Sequence, residues 1–226
     1  MFTFKKFTIH QDRCAMKVGT DGVLIGAWAK GGQRILDIGT GTGVVALMMA
    51  QRFPQALIKA LELDVAAAQQ AQENAAASPF AARIEVIQGA LQQYSAPPFD
   101  AIVSNPPFFT HAVAAKGAAR AMARQTDTLP FRDLCQYGRR LLADGGVMSM
   151  IIPADRCGEM EAEAAVAGMF LQRRIWVRTS ANKAPKRCLL ALGTHSVKDF
   201  EQTTCTLMQD GLATPWYQGL VADFYL

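Results

Sequence analysis

Residues 34–53 read RILDIGTGTGVVALMMAQRF. RILDI is a short apolar run broken only by Asp37, the composition of a strand buried on both faces. Gly39, Gly41 and Gly43 then alternate with threonines, and a backbone without Cβ atoms at those points can bend tightly and come close to a ligand. VVALMMAQRF continues as a helix. Strand, glycine turn and helix together open a βαβ unit, whose ligand sits beyond the strand's carboxyl end. The spacing is GxGxG and not the GxGxxG of a dinucleotide fingerprint.

The segments downstream repeat the alternation. ALIKALELD (56–64) is a second strand, and VAAAQQAQENAAAS (65–78) a helix with Asp64 as its cap. RIEVIQG (83–89) and FDAIVSN (99–105) are the third and fourth strands. LPFRDLCQYGRRLLADGG (129–146) is a helix with a Gly-Gly stop, VMSMIIP (147–153) the fifth strand, and 155–168 a further helix. RRIWVR (173–178) and RCLLALG (187–193) are joined by a loop too short for a crossover helix and pair antiparallel at one edge of the sheet. The expected fold is α/β: a doubly wound, mostly parallel seven-stranded sheet ending in an antiparallel hairpin. The chain reads as a single domain over 1–226. Its first 30 residues form a strand-and-helix extension, in which Phe2, Phe4, Phe7 and Ile9 suggest a hairpin and Thr20 or Asp21 a helix cap. No repeat or linker divides it.

Half of the 226 residues are hydrophobic and 19% are charged, which suits a folded domain with a sizeable core. The opening MFTFKKFTIHQDR lacks the apolar block of a signal peptide, and runs such as VVALMMA (44–50) are too short to span a bilayer. Cysteines 14, 135, 157, 188 and 205 are odd in number and lack CxxC spacing, so reduced thiols and a cytoplasmic protein are expected. His10, His111 and His195 stand apart, and no metal site is expected.

The net charge of +4 is unevenly placed. Residues 116–198 carry fourteen Lys/Arg against seven Asp/Glu, and between Glu163 and Asp199 there are seven basic residues and no acidic one. Charge alone fits a solvated basic face as well as a polyanionic partner.

Three features add chemistry to the glycine turn. Asp37 lies inside it, Glu62 ends the second strand where a carboxylate can accept ribose hydroxyls, and the fourth strand ends in VSNPPFF (103–109). Pro106 and Pro107 cannot donate to a ladder, so they stop the strand at Asn105 and hold Asn105 and Phe108 on a stiff backbone. The set resembles the class I S-adenosylmethionine-dependent methyltransferases. That resemblance implies that Asp37, Gly39, Thr40, Gly41 and Gly43 hold the methionine end of the cofactor, and Glu62 with Leu63 the ribose. It places Gln88, Gly89 and Ala90 against the adenine, with Ala90 standing where an acid often binds the adenine amine. Asp64 is the rival carboxylate to Glu62.

NPPF marks methyltransferases acting on planar amines or amides. The amine's lone pair is delocalised into the ring, and two acceptors close together draw the nitrogen toward a pyramidal shape. Asn105 Oδ1 and the Pro106 carbonyl form such a pair, Pro107 fixes it, and Phe108 stacks on the base. The opening FTIHQDRCAMKVGTDGVLIGAWA and the ending DFYL are similar to the bacterial family that N6-methylates adenine beside the anticodon of a valine tRNA. Lys17 and Thr20 then fall near the cofactor; the short lead before Asp37 disfavours the glutamine enzymes, and the lack of a duplicated domain the guanine N2 enzymes. The partner implied is a tRNA anticodon loop, with no membrane, metal or obligate protein partner. Lys116, Arg120 and Arg124 in a substrate loop (110–128), and Lys183, Lys186 and Arg187 with Arg178 at the hairpin loop, are the phosphate-binding candidates. Other readings are the same chemistry on ribosomal RNA, DNA or a protein glutamine, a non-catalytic RNA-binding protein, and an NAD-linked oxidoreductase.

Overall fold

The alternation of strand and helix segments builds one sheet with helices on both faces. A computed structural model describes residues 1–107 and 129–226. In chain order its elements are β1 (Phe2–Thr3), β2 (Thr8–Ile9), α1 (Thr20–Trp28), β3 (Arg34–Ile38), α2 (Val44–Arg52), β4 (Leu57–Glu62), α3 (Val65–Ala76), β5 (Ile84–Gln88) and β6 (Phe99–Ser104). These are followed by α4 (Phe131–Leu141), β7 (Leu142–Pro153), α5 (Cys157–Val166), β8 (Phe170–Ser180), β9 (Arg187–Gly193), β10 (Glu201–Gln209), β11 (Leu212–Ala213) and α6 (Pro215–Val221).

The sheet order is β11-β10-β8-β9-β7-β6-β3-β4-β5. β5, β4, β3, β6 and β7 pair in parallel. The chain winds outward from β3 through β4 to β5, then returns to place β6 on the other side of β3. The switch point therefore lies between β3 and β6, where doubly wound sheets bind ligands. Side chains alternate between the faces along each strand. Ile35, Val103, Ile151 and Leu189 pack with α1, α2 and α6 on one side. Leu36, Ile102, Met150 and Leu190 pack with α4 and α5 on the other.

All seven expected strands are present, and two more extend the sheet. β10 pairs parallel to β8 (Thr203↔Ile175), and β11 folds back on β10. The antiparallel pair β8–β9 thus lies inside the sheet instead of at its edge, because β9 pairs with β7 on one side and β8 on the other. Except for β9 and β11, the strands of this sheet all end on the same edge.

The N-terminal hairpin pairs Phe2 with Ile9, and Phe4 stacks on Phe7 at 4.7 Å between ring centroids. Lys5 N donates to the Phe224 carbonyl at 2.9 Å, which ties this end of the chain to the other. α1 is buried almost all round against α2: a Cβ on Gly26 would fall 2.7 Å from Met48 Sδ. Its cap position is Gly19, with no side-chain cap; Thr20 and Asp21 are its first helical residues. Asp64 does cap α3, accepting from the Ala67 amide at 2.7 Å. α4 stops at Leu141, before the Gly-Gly pair; Gly145 takes φ +72° and donates its amide to Thr194 Oγ1 at 2.8 Å within the start of β7. α5 begins at Cys157, after a short 3-10 turn over Ala154–Arg156.

Candidate active site at the sheet switch point

The glycine turn is shaped by backbone that only glycine adopts freely. Gly39, Gly41 and Gly43 have φ of +72°, +56° and +82°, in the left-handed region that costs an L-residue roughly 1–2 kcal/mol. A Cβ on Gly39 or Gly41 would meet nothing within 4 Å, so both face open space. Gly43 instead abuts α3, where its Cβ would lie 3.4 Å from the Cβ of Ala71. The amides of Gly39 and Thr40 both donate to the Leu61 carbonyl, at 2.9 and 3.1 Å, locking the turn onto the end of β4.

Two carboxylates hold this turn from opposite sides. Asp37, 1% exposed, lies beneath it and accepts from Thr40 Oγ1 at 2.5 Å and from the Ala46 amide at 3.1 Å. Burial pushes its carboxyl up to about 7, against the pull of those two hydrogen bonds, and the charge of Glu62 adds to the rise. Glu62 stands at the end of β4. Its Oε2 accepts from the Gly41 amide at 2.8 Å and its Oε1 from the Asp64 amide at 3.0 Å. Each oxygen keeps a second lone pair for a hydroxyl donor.

β6 delivers the other half of the site. Ser104, fully buried, donates Oγ–H to the Ile38 carbonyl at 2.9 Å and fastens the ends of β6 and β3 together. Asn105 follows at once, with its Nδ2 turned toward α1: a Cβ on Gly22 would lie 3.9 Å from it. Pro106 is buried and Pro107 half-buried.

These elements converge on a cavity of about 1390 Å³ among the described residues, larger than the roughly 300–1,000 Å³ of a single-ligand pocket. Gly39–Thr42, Glu62–Val65 and Gly89–Gln92 line one part of it, and Asn105, Pro106 and Pro107 another. Of the expected cofactor residues, Gly39, Thr40, Gly41, Glu62, Leu63, Gly89, Ala90, Asn105, Lys17 and Thr20 line the cavity. Asp37, Gly43 and Gln88 do not. Asp37 braces the turn from below, Gly43 starts α2, and the Gln88 side chain leaves the cavity to donate to the Leu63 carbonyl at 3.0 Å. The part of the wall formed by Gly89 and Ala90 is therefore backbone and small side chain.

Of the basic candidates, Lys186 and Arg187 line the cavity and Lys183 does not. Arg187 opens β9 at the same edge, and its Nε donates to Asp21 Oδ2 at 2.7 Å. Phe108, Lys116, Arg120 and Arg124 lie outside the described residues. Sequence reasoning missed Cys14, Val44 and Thr179, which also line the cavity. Thr179 faces it because β8 runs in the same direction as β7 with the antiparallel β9 between them, an order set by tertiary structure; the alternation along β8, with Ile175 and Val177 buried, was the available signal.

The methyltransferase small domain family model matches residues 18–155. A protein of Tolumonas auensis named tRNA1(Val) (adenine(37)-N6)-methyltransferase is 44% identical over all of this chain and 96% of its own length. One of the same name from Aeromonas salmonicida is 47% identical over all of this chain and 97% of its own. Among solved structures, a predicted O-methyltransferase from Agrobacterium tumefaciens superposes with a TM-score of 0.65 at 20% identity, covering 90% of this chain and 96% of that one. At that identity the likeness concerns the fold.

Proposed function

The chain belongs to the methyltransferase small domain family and, by full-length identity, to the tRNA1(Val) (adenine(37)-N6)-methyltransferases, and from that membership we propose that its switch-point cavity brings the N6 amine of adenine 37 of a valine tRNA to S-adenosylmethionine. The observation that carries this reading is the convergence of two ligand-binding surfaces on one cavity. The glycine turn with Glu62 forms one, and the Asn105–Pro107 corner the other.

The residues present fit the cofactor. Gly39 and Gly41 leave open the space that side chains would fill, which lets a ligand lie against the turn. Glu62, braced by two amides, offers its remaining lone pairs to the ribose hydroxyls. Gly89 and Ala90 receive the adenine without a carboxylate. When bound, S-adenosylmethionine supplies a methyl group on a sulfonium, whose leaving group is a neutral thioether.

The remaining chemistry belongs to the chain. Asn105 Oδ1 and the Pro106 carbonyl accept the two N–H bonds of the target amine, localising its lone pair and aiming it. Both acceptors are fixed beforehand by the proline pair and by the Ser104 bond to β3, so little reorganisation is needed when charge develops on nitrogen. The excess proton leaves after the new C–N bond has formed, and no strong base is required. Positioning carries most of the rate.

An adenine in an anticodon loop is already partly unstacked, so drawing it into the cavity costs only a few kcal/mol. Lys186 and Arg187, two basic residues lining the cavity, support a role in holding the phosphates that flank it. A tRNA substrate and five free cysteines support a cytoplasmic location. The test is incubation with labelled cofactor and tRNA lacking the modification, followed by digestion. N6-methyladenosine at position 37 is expected; label in N2-methylguanosine, or in no nucleoside, overturns the substrate.

A further inference from the structure

Residues 10–19 lead from the N-terminal hairpin to α1, and those from Cys14 to Gly19 line the cavity. This strap has no regular backbone pairing, and side chains fix it instead. Asn74, on α3 and 1% exposed, accepts from the His10 amide at 2.9 Å. Its Nδ2 donates both to the His10 carbonyl at 2.8 Å and to the Thr42 carbonyl, also at 2.8 Å, in the glycine turn. One buried amide thus joins the strap to the turn that shares the cavity with it. Further along, Gln11 Oε1 accepts from the Val18 amide at 2.8 Å and draws residues 11–18 into a closed loop. The Cys14 thiol, pushed up to about 11 by burial and then by the charges of Glu62 and Asp64, reports how near the strap runs to those carboxylates.

We infer that residues 10–19 form a wall of the cofactor compartment, held in register with the glycine turn by Asn74 and kept closed by Gln11, so that these two amides are positioning residues for cofactor binding. The inference rests on the reading that S-adenosylmethionine occupies this cavity. Position 74 needs an amide, because one oxygen takes an N–H while one NH₂ serves two carbonyls; a carboxylate lacks the donors and an aliphatic side chain lacks both. Neither residue is in reach of the amine corner through any bond described, so their effect falls on binding and not on the transfer step.

The test is calorimetric titration of S-adenosylhomocysteine into the wild type, Gln11→Ala and Asn74→Ala, with hydrogen exchange of residues 10–19 followed with and without that ligand. The half-exposed Gln11 can be replaced without opening the core, whereas Asn74→Ala leaves buried groups unpaired and is read alongside its thermal unfolding. We expect the ligand to slow exchange across the strap in the wild type. Gln11→Ala should weaken binding about 5-fold and Asn74→Ala more than about 10-fold, and KM for the cofactor should rise while kcat at saturation changes less. Unchanged affinity in Gln11→Ala, or strap exchange indifferent to the ligand, overturns the inference. Failure of the wild type to bind the ligand at all would instead overturn the proposed function on which it rests.

Discussion

Glu62 Oε2 accepts the amide hydrogen of Gly41 at 2.8 Å, so the carboxylate that ends β4 fixes the middle glycine of the turn leaving β3. One side chain therefore shapes the turn and presents acceptors to what lies against it. Replacing Glu62 with alanine removes both contributions.

Glu62→Ala should weaken S-adenosylhomocysteine binding by about 100-fold, the effect of losing hydrogen bonds made by a charged group at roughly 1.5–3 kcal/mol each. Glu62→Gln retains one acceptor oxygen and should lose about 10-fold. Calorimetric Kd values decide this; equal affinity in Glu62→Ala and the wild type would mean that the ribose is held elsewhere.

Gly41→Ala should be costly for backbone reasons alone. The new Cβ meets no atom within 4 Å, but the residue must hold φ +56°, at roughly 1–2 kcal/mol. Urea unfolding should show that loss, and cofactor affinity should fall as well because the methyl group enters the cavity. A variant as stable as the wild type would contradict the left-handed turn.

The buried acid makes a pH prediction. Asp37 titrates near 7 in the folded protein, for reasons led by burial, and near 3.9 in an unfolded chain. Between those values the folded state keeps a proton that the unfolded chain has lost. This residue's contribution to stability therefore falls as pH rises from about 4 to about 7, and is level above that. Asp37→Asn keeps an oxygen for Thr40 and Ala46 without the charge. It should match the wild type near pH 4 and exceed it above pH 7, by on the order of 4 kcal/mol at most. Unfolding curves that stay parallel across this range would contradict a protonated Asp37.

Lys186 is exposed at the rim of the cavity. Lys186→Ala should raise KM for tRNA severalfold with a smaller effect on kcat, and lower the slope of log KM against log salt by about 0.7–0.9. An unchanged slope would remove Lys186 from the phosphate path.

The glycine turn and the NPP corner were legible because each is a local device. Positive φ demands glycine, and consecutive prolines end a strand, whatever surrounds them. What depended on distant partners was not legible. β10 reads EQTTCTLMQ, with only Leu207 buried, and is a strand because it pairs with β8, where Glu201 meets Arg173 at 2.9 Å. Asp37 was expected inside the turn, yet it belongs to β3 and braces the turn through Thr40 and Ala46; no sequence pattern says whether a side chain lies under a turn or over it. The Asp21–Arg187 pair and the Asn74 clasp join residues 166 and 64 positions apart, and neither leaves a periodic trace.

The proposed clasp of the amine by Asn105 and Pro106 is tested most directly by Asn105→Ala, assayed in parallel for S-adenosylhomocysteine affinity and for single-turnover methyl transfer to unmodified tRNA. The account predicts that affinity stays close to that of the wild type while transfer slows about 10²–10³-fold, as when one preorganised polar contact to the reacting group is lost. Loss of both in equal measure, or transfer at the wild-type rate, would contradict it.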